Sequence, residues 1–343
     1  MSKTFAGYFF EDYKIGQVID HAVPRTIGSG ERALYHALYP ARTALFSSDA
    51  FAQECGLPKS PLDPLIVFHT VFGKTVPDIS LNAVANLGYG EGRFLKPVYE
   101  GASLRSSSEI IGLKQNSNGK TGIVYVRTTG FDEAGDAVLS YVRWVMVKKR
   151  DFDAPAPDET VPDLAKAVAP SDLILPEGLD FSKFNTTLSG EEYKYGDYKV
   201  GEIIDHVDGV TIEEAEHMMA TRLWQNTAKV HFDTQARPDG RRLIYGGHII
   251  SLAHALSFNG LANAAPMVAI NGGAHVAPAF SGDRISSYSE ILDKAEISDN
   301  IGALRIRLVA RKGEVSTPAL RGDDGKYLPD VLLDFDYWCL IVM

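Results

Sequence analysis

The chain has 343 residues, 45% of them hydrophobic and 23% charged, and 34 Lys plus Arg against 44 Asp plus Glu leave a formal net charge of −10. This is an ordinary globular composition, and its sign argues against phosphate backbones or anionic lipid as partners, which excludes nucleic acid as a first reading. No run of 18 apolar residues offers a membrane span, and the opening residues lack a signal-peptide core. Cys55 and Cys339 suit neither a disulfide framework nor a zinc knuckle, so the expected home is a reducing cytoplasm.

A soft prior of about 150 residues per domain suggests two domains. The chain does repeat itself. Tyr13-Lys14-Ile15-Gly16-Gln17-Val18-Ile19-Asp20-His21 returns 185 positions later as Tyr198-Lys199-Val200-Gly201-Glu202-Ile203-Ile204-Asp205-His206. The first half, 1–150, predicts a buried helix over 65–72, closed by Gly73, since its apolar residues face nearly every side. Pro97-Val98-Tyr99-Glu100-Gly101 follows, and it reappears at offset 181 as Pro278-Ala279-Phe280-Ser281-Gly282. Alternating runs at 123–126 and 139–146, with the turn Asp132-Glu133-Ala134-Gly135 between them, predict antiparallel strands.

Residues 151–180 form a linker rich in proline, with Pro155, Pro157, Pro162, Pro170 and Pro176, expected to run extended over a surface. Its tail, Leu173-Ile174-Leu175, can pack locally. The second half, 181–343, predicts a buried helix over 247–258 that stops at Asn259-Gly260. Strands at 304–308 and 332–342 come next, with the turn Asp323-Asp324-Gly325 between them, and the last carries Trp338 where its first-half counterpart carries Trp144. Each half is thus a buried helix wrapped by an antiparallel sheet, an α+β unit, and the two units should pair their sheets.

Chemistry is expected where the copies differ. At offset 185, Trp224-Gln225-Asn226-Thr227-Ala228-Lys229-Val230-His231-Phe232-Asp233 faces Tyr39-Pro40-Ala41-Arg42-Thr43-Ala44-Leu45-Phe46-Ser47-Ser48, so His231 is opposed by Phe46 and Asn226 by Ala41. One polar copy and one apolar copy imply a single active site, in the second half. His231 titrates near neutrality and suits a general base or acid. Gly247, at a helix start, can offer a backbone N–H to an oxyanion, and Gly246 lets a ligand approach closely.

These residues, with Leu243-Ile244-Tyr245-Gly246-Gly247-His248 and 278–282, resemble the MaoC-like, R-specific enoyl-CoA hydratases over nearly the whole chain. The resemblance implies a double hot-dog fold and addition of water to an enoyl thioester, without a cofactor, coenzyme A being part of the substrate. Within the family, the segments Phe68-His69-Thr70-Val71-Phe72-Gly73 and Asn82-Ala83-Val84-Ala85-Asn86-Leu87-Gly88-Tyr89 point to a short branched dicarboxylic substrate, 2-methylfumaryl-CoA converted to β-methylmalyl-CoA. The family signature places an Asp five residues before the His, and Asn226 stands there. Either His231 performs both proton transfers while Asn226 holds the water, the preferred reading, or Asp233 stands in for the acid.

For the substrate's free carboxylate the first half offers Arg42, whose guanidinium suits a carboxylate, the alternative for this residue being a surface ion pair with an Asp or Glu. Phe46 and Phe68, with Phe72, are expected to close the site to long chains. His275, at the end of Asn271-Gly272-Gly273-Ala274-His275, lies beside the thioester or at an ordinary strand entry, whereas His248 and His254 read as core histidines. A monocarboxylic enoyl-CoA hydratase, a hot-dog thioesterase and a silent acyl-CoA binder are the competing readings. No dinucleotide or Walker loop and no metal-ligand spacing is present in the sequence, and a homodimer or higher homo-oligomer is expected.

Overall fold

The computed structural model describes residues 3–315 and 318–343. Ten antiparallel strands form one sheet, in the order β1-β3-β4-β5-β2-β7-β10-β9-β8-β6. They are β1 (Val18–Thr26), β2 (Ala83–Phe94), β3 (Ser103–Gln115), β4 (Thr121–Phe131), β5 (Ala137–Lys148), β6 (Ile203–Thr211), β7 (Ala264–His275), β8 (Arg284–Glu296), β9 (Ile301–Lys312) and β10 (Val331–Val342). Strands 1–5 come from the first half and 6–10 from the second, and the order reads the same from either edge. Duplication is therefore built into the topology.

The halves join where β2 pairs with β7, Tyr89 opposite Gly273 and Gly92 opposite Ile270. These two pairs are images of one another, because adding 181 to 89 and 92 gives 270 and 273. Each half wraps one apolar helix, Pro64–Thr75 or Gly246–Leu256, and nearly every residue of both is buried, as an all-round apolar pattern requires. The first helix passes through Gly73, which was expected to close it. A side chain there would meet the Trp224 carbonyl oxygen at 1.7 Å, so this glycine serves close packing and not a helix stop.

Side chains of a strand alternate between faces, so Trp144 and its predecessor Arg143 point oppositely, as do Trp338 and Tyr337. Trp338 faces the linker, its indole N–H donating to the Val168 carbonyl at 3.0 Å. Arg143 and Tyr337 consequently face the helices. The linker is pinned to the outer sheet face, Val168 N–H donating to Asn271 Oδ1 at 2.8 Å and Thr160 bridging to Leu113. Leu173 of its tail is buried, and both cysteines are free and buried.

Candidate active site

The helix Glu214–Leu223 delivers the chain to Trp224, which is buried, and Gln225 then turns it with φ 53°, a left-handed conformation unusual for a side chain of this size. Asn226 follows, its N–H donating to the Thr221 carbonyl at 2.9 Å and its Oδ1 accepting from Ala228 N–H at 3.1 Å. One tight turn, Lys229–His231, brings the imidazole inward, and Leu243 N–H donates to the Val230 carbonyl at 2.8 Å to close the loop at its base.

The orientation of His231 fixes its tautomer. Nδ1 lies 2.8 Å from the Leu243 carbonyl oxygen, and a carbonyl only accepts, so Nδ1 carries the proton and Nε2 keeps a lone pair. Burial pushes the imidazole down to about 4, partly offset by that hydrogen bond, so the ring is neutral near pH 7. The ring packs edge-on against Tyr245 at 5.6 Å.

Tyr245 precedes the helix Gly246–Leu256, and its N–H donates to His217 Nε2 at 2.9 Å. No side chain caps this helix, and the N–H groups of Gly246 and Gly247 make no hydrogen bond among the described residues. The glycines are required by what lies against them. A Cβ on Gly246 would meet the His275 ring at 2.4 Å, and one on Gly247 would meet the Tyr245 ring at 2.4 Å. His275 is held by Tyr89, whose hydroxyl lies 3.0 Å from Nε2.

These groups meet at a cavity of about 270 Å³. Of the residues singled out in the sequence, His231, Asn226, Gly246 and His275 line it, with Gly247 buried one position behind Gly246. Phe72 lines it as well. Asp233 does not. Its carboxylate caps the next turn, Oδ1 accepting from Gln235 N–H at 2.9 Å, because two residues past His231 the chain has already left the wall.

Three expected substrate contacts are likewise elsewhere. Arg42 stacks on Phe258, 4.3 Å from its ring centroid, in a separate small cavity that belongs to the first half's own helix start. Phe46 lines another cavity beside Leu45 and Leu57. Phe68 is buried behind the wall against Tyr89 and Tyr141, with centroids 5.6 and 5.3 Å away. Arg42 and Phe46 share one cause, since their first-half loop, at the position equivalent to Asn226 to His231, faces the mirror-related pocket, whereas Phe68 lies on the helix Pro64–Thr75, on the side packed against Tyr89 and Tyr141.

What the first half does contribute comes from β2, β5 and the turn after its helix: Val76, Ser80, Asn86, Tyr89 and Arg143. Arg143 is fully buried, donates from Nη2 to Thr75 Oγ1 at 2.7 Å and lies over the Phe72 ring at 4.4 Å. The signal for it was present in the sequence as an arginine inside the apolar run Val142-Arg143-Trp144-Val145-Met146, aligned with Tyr337 in the other copy.

The sheet, the two wrapped helices and the cavity lined by His231 and Gly246 define a double hot-dog protein of the MaoC-like class. Comparison with known proteins gives the family. The mesaconyl-CoA hydratase family model matches residues 2–319, and the chain belongs to that family. It is 67% identical over 340 residues to a Cereibacter sphaeroides protein named mesaconyl-CoA hydratase, covering 99% of each chain. It is 55% identical over 346 residues to the Chloroflexus aurantiacus β-methylmalyl-CoA dehydratase, covering 99% of this chain and 98% of that one. A solved Chloroflexus aurantiacus structure described as a MaoC domain dehydratase superposes with a TM-score of 0.97 at 55% identity, over 100% of this chain and 99% of that one. A Mycobacterium tuberculosis protein described as a double hot-dog fold superposes with a TM-score of 0.76 at 24% identity, over 98% and 99% of the two chains, which is a likeness of fold.

Proposed function

We propose that the chain interconverts mesaconyl-CoA (2-methylfumaryl-CoA) and β-methylmalyl-CoA by reversible hydration, as its relatives are named for doing. The observation that carries the reading is the pairing, in one cavity, of a neutral imidazole with an exposed lone pair and an uncapped helix start. In the hydration direction, His231 Nε2 takes a proton from water while the water oxygen bonds to the β-carbon. The electrons of the double bond move onto the thioester oxygen, where the N–H groups of Gly246 and Gly247, aided by the helix dipole, stabilise the enolate. The imidazolium then returns the proton to the α-carbon, so one residue serves as base and acid and no net charge is left. Asn226 orients the water; an amide donates and accepts but does not relay a proton as a carboxylate would.

The supporting chemistry is selective against thioester cleavage, since among the described residues no carboxylate lines the cavity to activate water at the thioester carbon. Incubation with mesaconyl-CoA should bleach the absorbance of the conjugated thioester without releasing thiol. Thiol release in step with bleaching would instead establish a thioesterase. The proposal also takes the protein as a cytoplasmic homodimer or larger homo-oligomer, a reading supported by exposed apolar residues on the two edge strands, Val18 on β1 and Val207 on β6.

A further inference from the structure

Among the described residues twenty-four line the cavity, and of these Arg143 is the only one bearing a full charge, with no Asp, Glu or Lys. Arg143 is 0% exposed and forms no ion pair among the described residues. Of its five N–H donors the structure commits one, from Nη2 to Thr75 Oγ1, while Nε and Nη1 are buried without a partner. A guanidinium cannot shed its proton, so a buried one that lacks an anion is costly to keep. Arg311, the other fully buried arginine among the described residues, shows the contrast: it has Asp330 at 2.7 Å. Asn86 adds to the same wall a carboxamide whose Oδ1 and Nδ2 are both buried and unpartnered.

We infer that Arg143, assisted by the Asn86 amide, binds the free carboxylate of the substrate and thereby sets the specificity for a dicarboxylic acyl group. The inference rests on the mesaconyl-CoA reading above and deepens it. In that substrate the carboxylate is attached to the β-carbon, the atom that receives the hydroxyl, so a group that grips it also places the β-carbon before His231. The position agrees. Arg143 faces Tyr89 across the β2–β5 ladder, Tyr89 holds His275, and His275 lies against Gly246, which links the guanidinium to the oxyanion site through two side chains. Phe72 under the guanidinium keeps its plane fixed, and the mirror position in the duplicate, Tyr337, carries no charge. Such a pocket stabilises an anion that a methyl group cannot replace, because an uncharged acyl end leaves the cation unpaired.

The test uses two unreactive saturated ligands that differ only at the acyl end, 2-methylsuccinyl-CoA with a carboxylate and 2-methylbutanoyl-CoA with a methyl. By titration calorimetry the full-length wild type should bind the first at least tenfold more tightly. In Arg143→Gln that preference should fall to within threefold through loss of the dicarboxylic ligand alone, and kcat/KM on mesaconyl-CoA should fall at least a hundredfold. Because Arg143 is buried, Asn86→Asp provides a second variant that places an anion on the same cavity wall without removing the guanidinium; it should lose the same preference. Equal wild-type affinities for the two ligands, or a preference that survives in both folded variants, would overturn the assignment. Should the wild type hydrate crotonyl-CoA better than mesaconyl-CoA, the substrate reading itself fails. A wild type that prefers mesaconyl-CoA, with variants that keep the preference, leaves that reading standing and removes only Arg143.

Discussion

The two helix starts of this duplicated chain occupy equivalent places and have opposite fittings. At Pro64–Thr75 the first residue is a proline without an N–H, and the next N–H, of Leu65, is taken by Asp63 Oδ1 at 2.8 Å. At Gly246–Leu256 both N–H groups are unspent and lie behind glycines. The cavities follow suit: about 40 Å³ where Phe46 and Pro64 stand and about 20 Å³ where Arg42 stacks on Phe258, against about 270 Å³ where His231 and Asn226 stand. A capped terminus stabilises a helix, by roughly 1 kcal/mol for a good cap, but a donor already bonded to a cap cannot hold an oxyanion. One helix start is therefore fitted for stability, and the other keeps donors free for an anion.

That contrast breaks most severely at His231. His231→Ala should lower kcat by about a hundredfold or more, the scale of a general acid or base, with the fold kept as judged by circular dichroism. Full activity in the folded variant would contradict the assignment. The acid limb of the wild type sharpens the same point. A neutral His231 is needed as base, and burial holds its value near 4, so kcat should stay level down to about pH 5 and fall below it. Stability has the same sign. His69, His206, His217, His231, His248, His254 and His275 are all lowered to about 3 or 4 by burial, so the unfolded chain binds more protons below its ordinary value of 6.5. Their stabilisation is complete above pH 6.5 and is lost as pH falls towards 4, which denaturant titrations at pH 7.5, 6 and 5 would display as a falling midpoint.

A smaller effect separates the helix starts. Gly246→Ala should drive its methyl into the His275 ring and disturb the oxyanion donors, costing about tenfold to a hundredfold in kcat, while Leu65→Ala should cost about 2–5 kcal/mol of stability and leave kcat within a few fold. Steady-state rates and thermal unfolding on both variants measure the split, and equal losses in kcat would dissolve it. Of comparable size, Asn226→Ala should cost up to about 3 kcal/mol of transition-state stabilisation, the scale of one lost hydrogen bond to the reacting groups. Asp233→Asn and Arg42→Ala should change kcat/KM on mesaconyl-CoA by less than about twofold, since neither residue lines the cavity. A large loss in Asp233→Asn with a neutral Asn226→Ala would reverse their roles.

Much of this was legible in the sequence because duplication supplied an internal control. The offset of 185 exposed the repeat, the helices and strands followed from apolar periodicity, and the mismatch of His231 with Phe46 marked the second half as the one with polar groups at this position. The opposing wall was not legible by the same device. Arg42 is adjacent in the alignment to the catalytic loop, yet a pseudo-two-fold axis carries it to the other pocket, and only the β2–β7 pairing shows that the wall facing His231 comes from β2 and β5. Arg143 was visible as a charge in an apolar strand, but strand alternation alone does not say which helix start lies beneath it. Gly73 misled for a related reason: its partner, the Trp224 carbonyl, is distant in sequence.

Two copies of the fold with unlike helix starts imply one working site per chain. Calorimetric titration of the full-length protein with 2-methylsuccinyl-CoA, with protein concentration fixed by absorbance, counts the sites. One ligand per 343-residue chain is expected, with binding weakened in Asn86→Asp and unchanged in Arg42→Ala. Two equivalent ligands per chain, or a single one whose binding is abolished by Arg42→Ala and indifferent to Asn86→Asp, would contradict it.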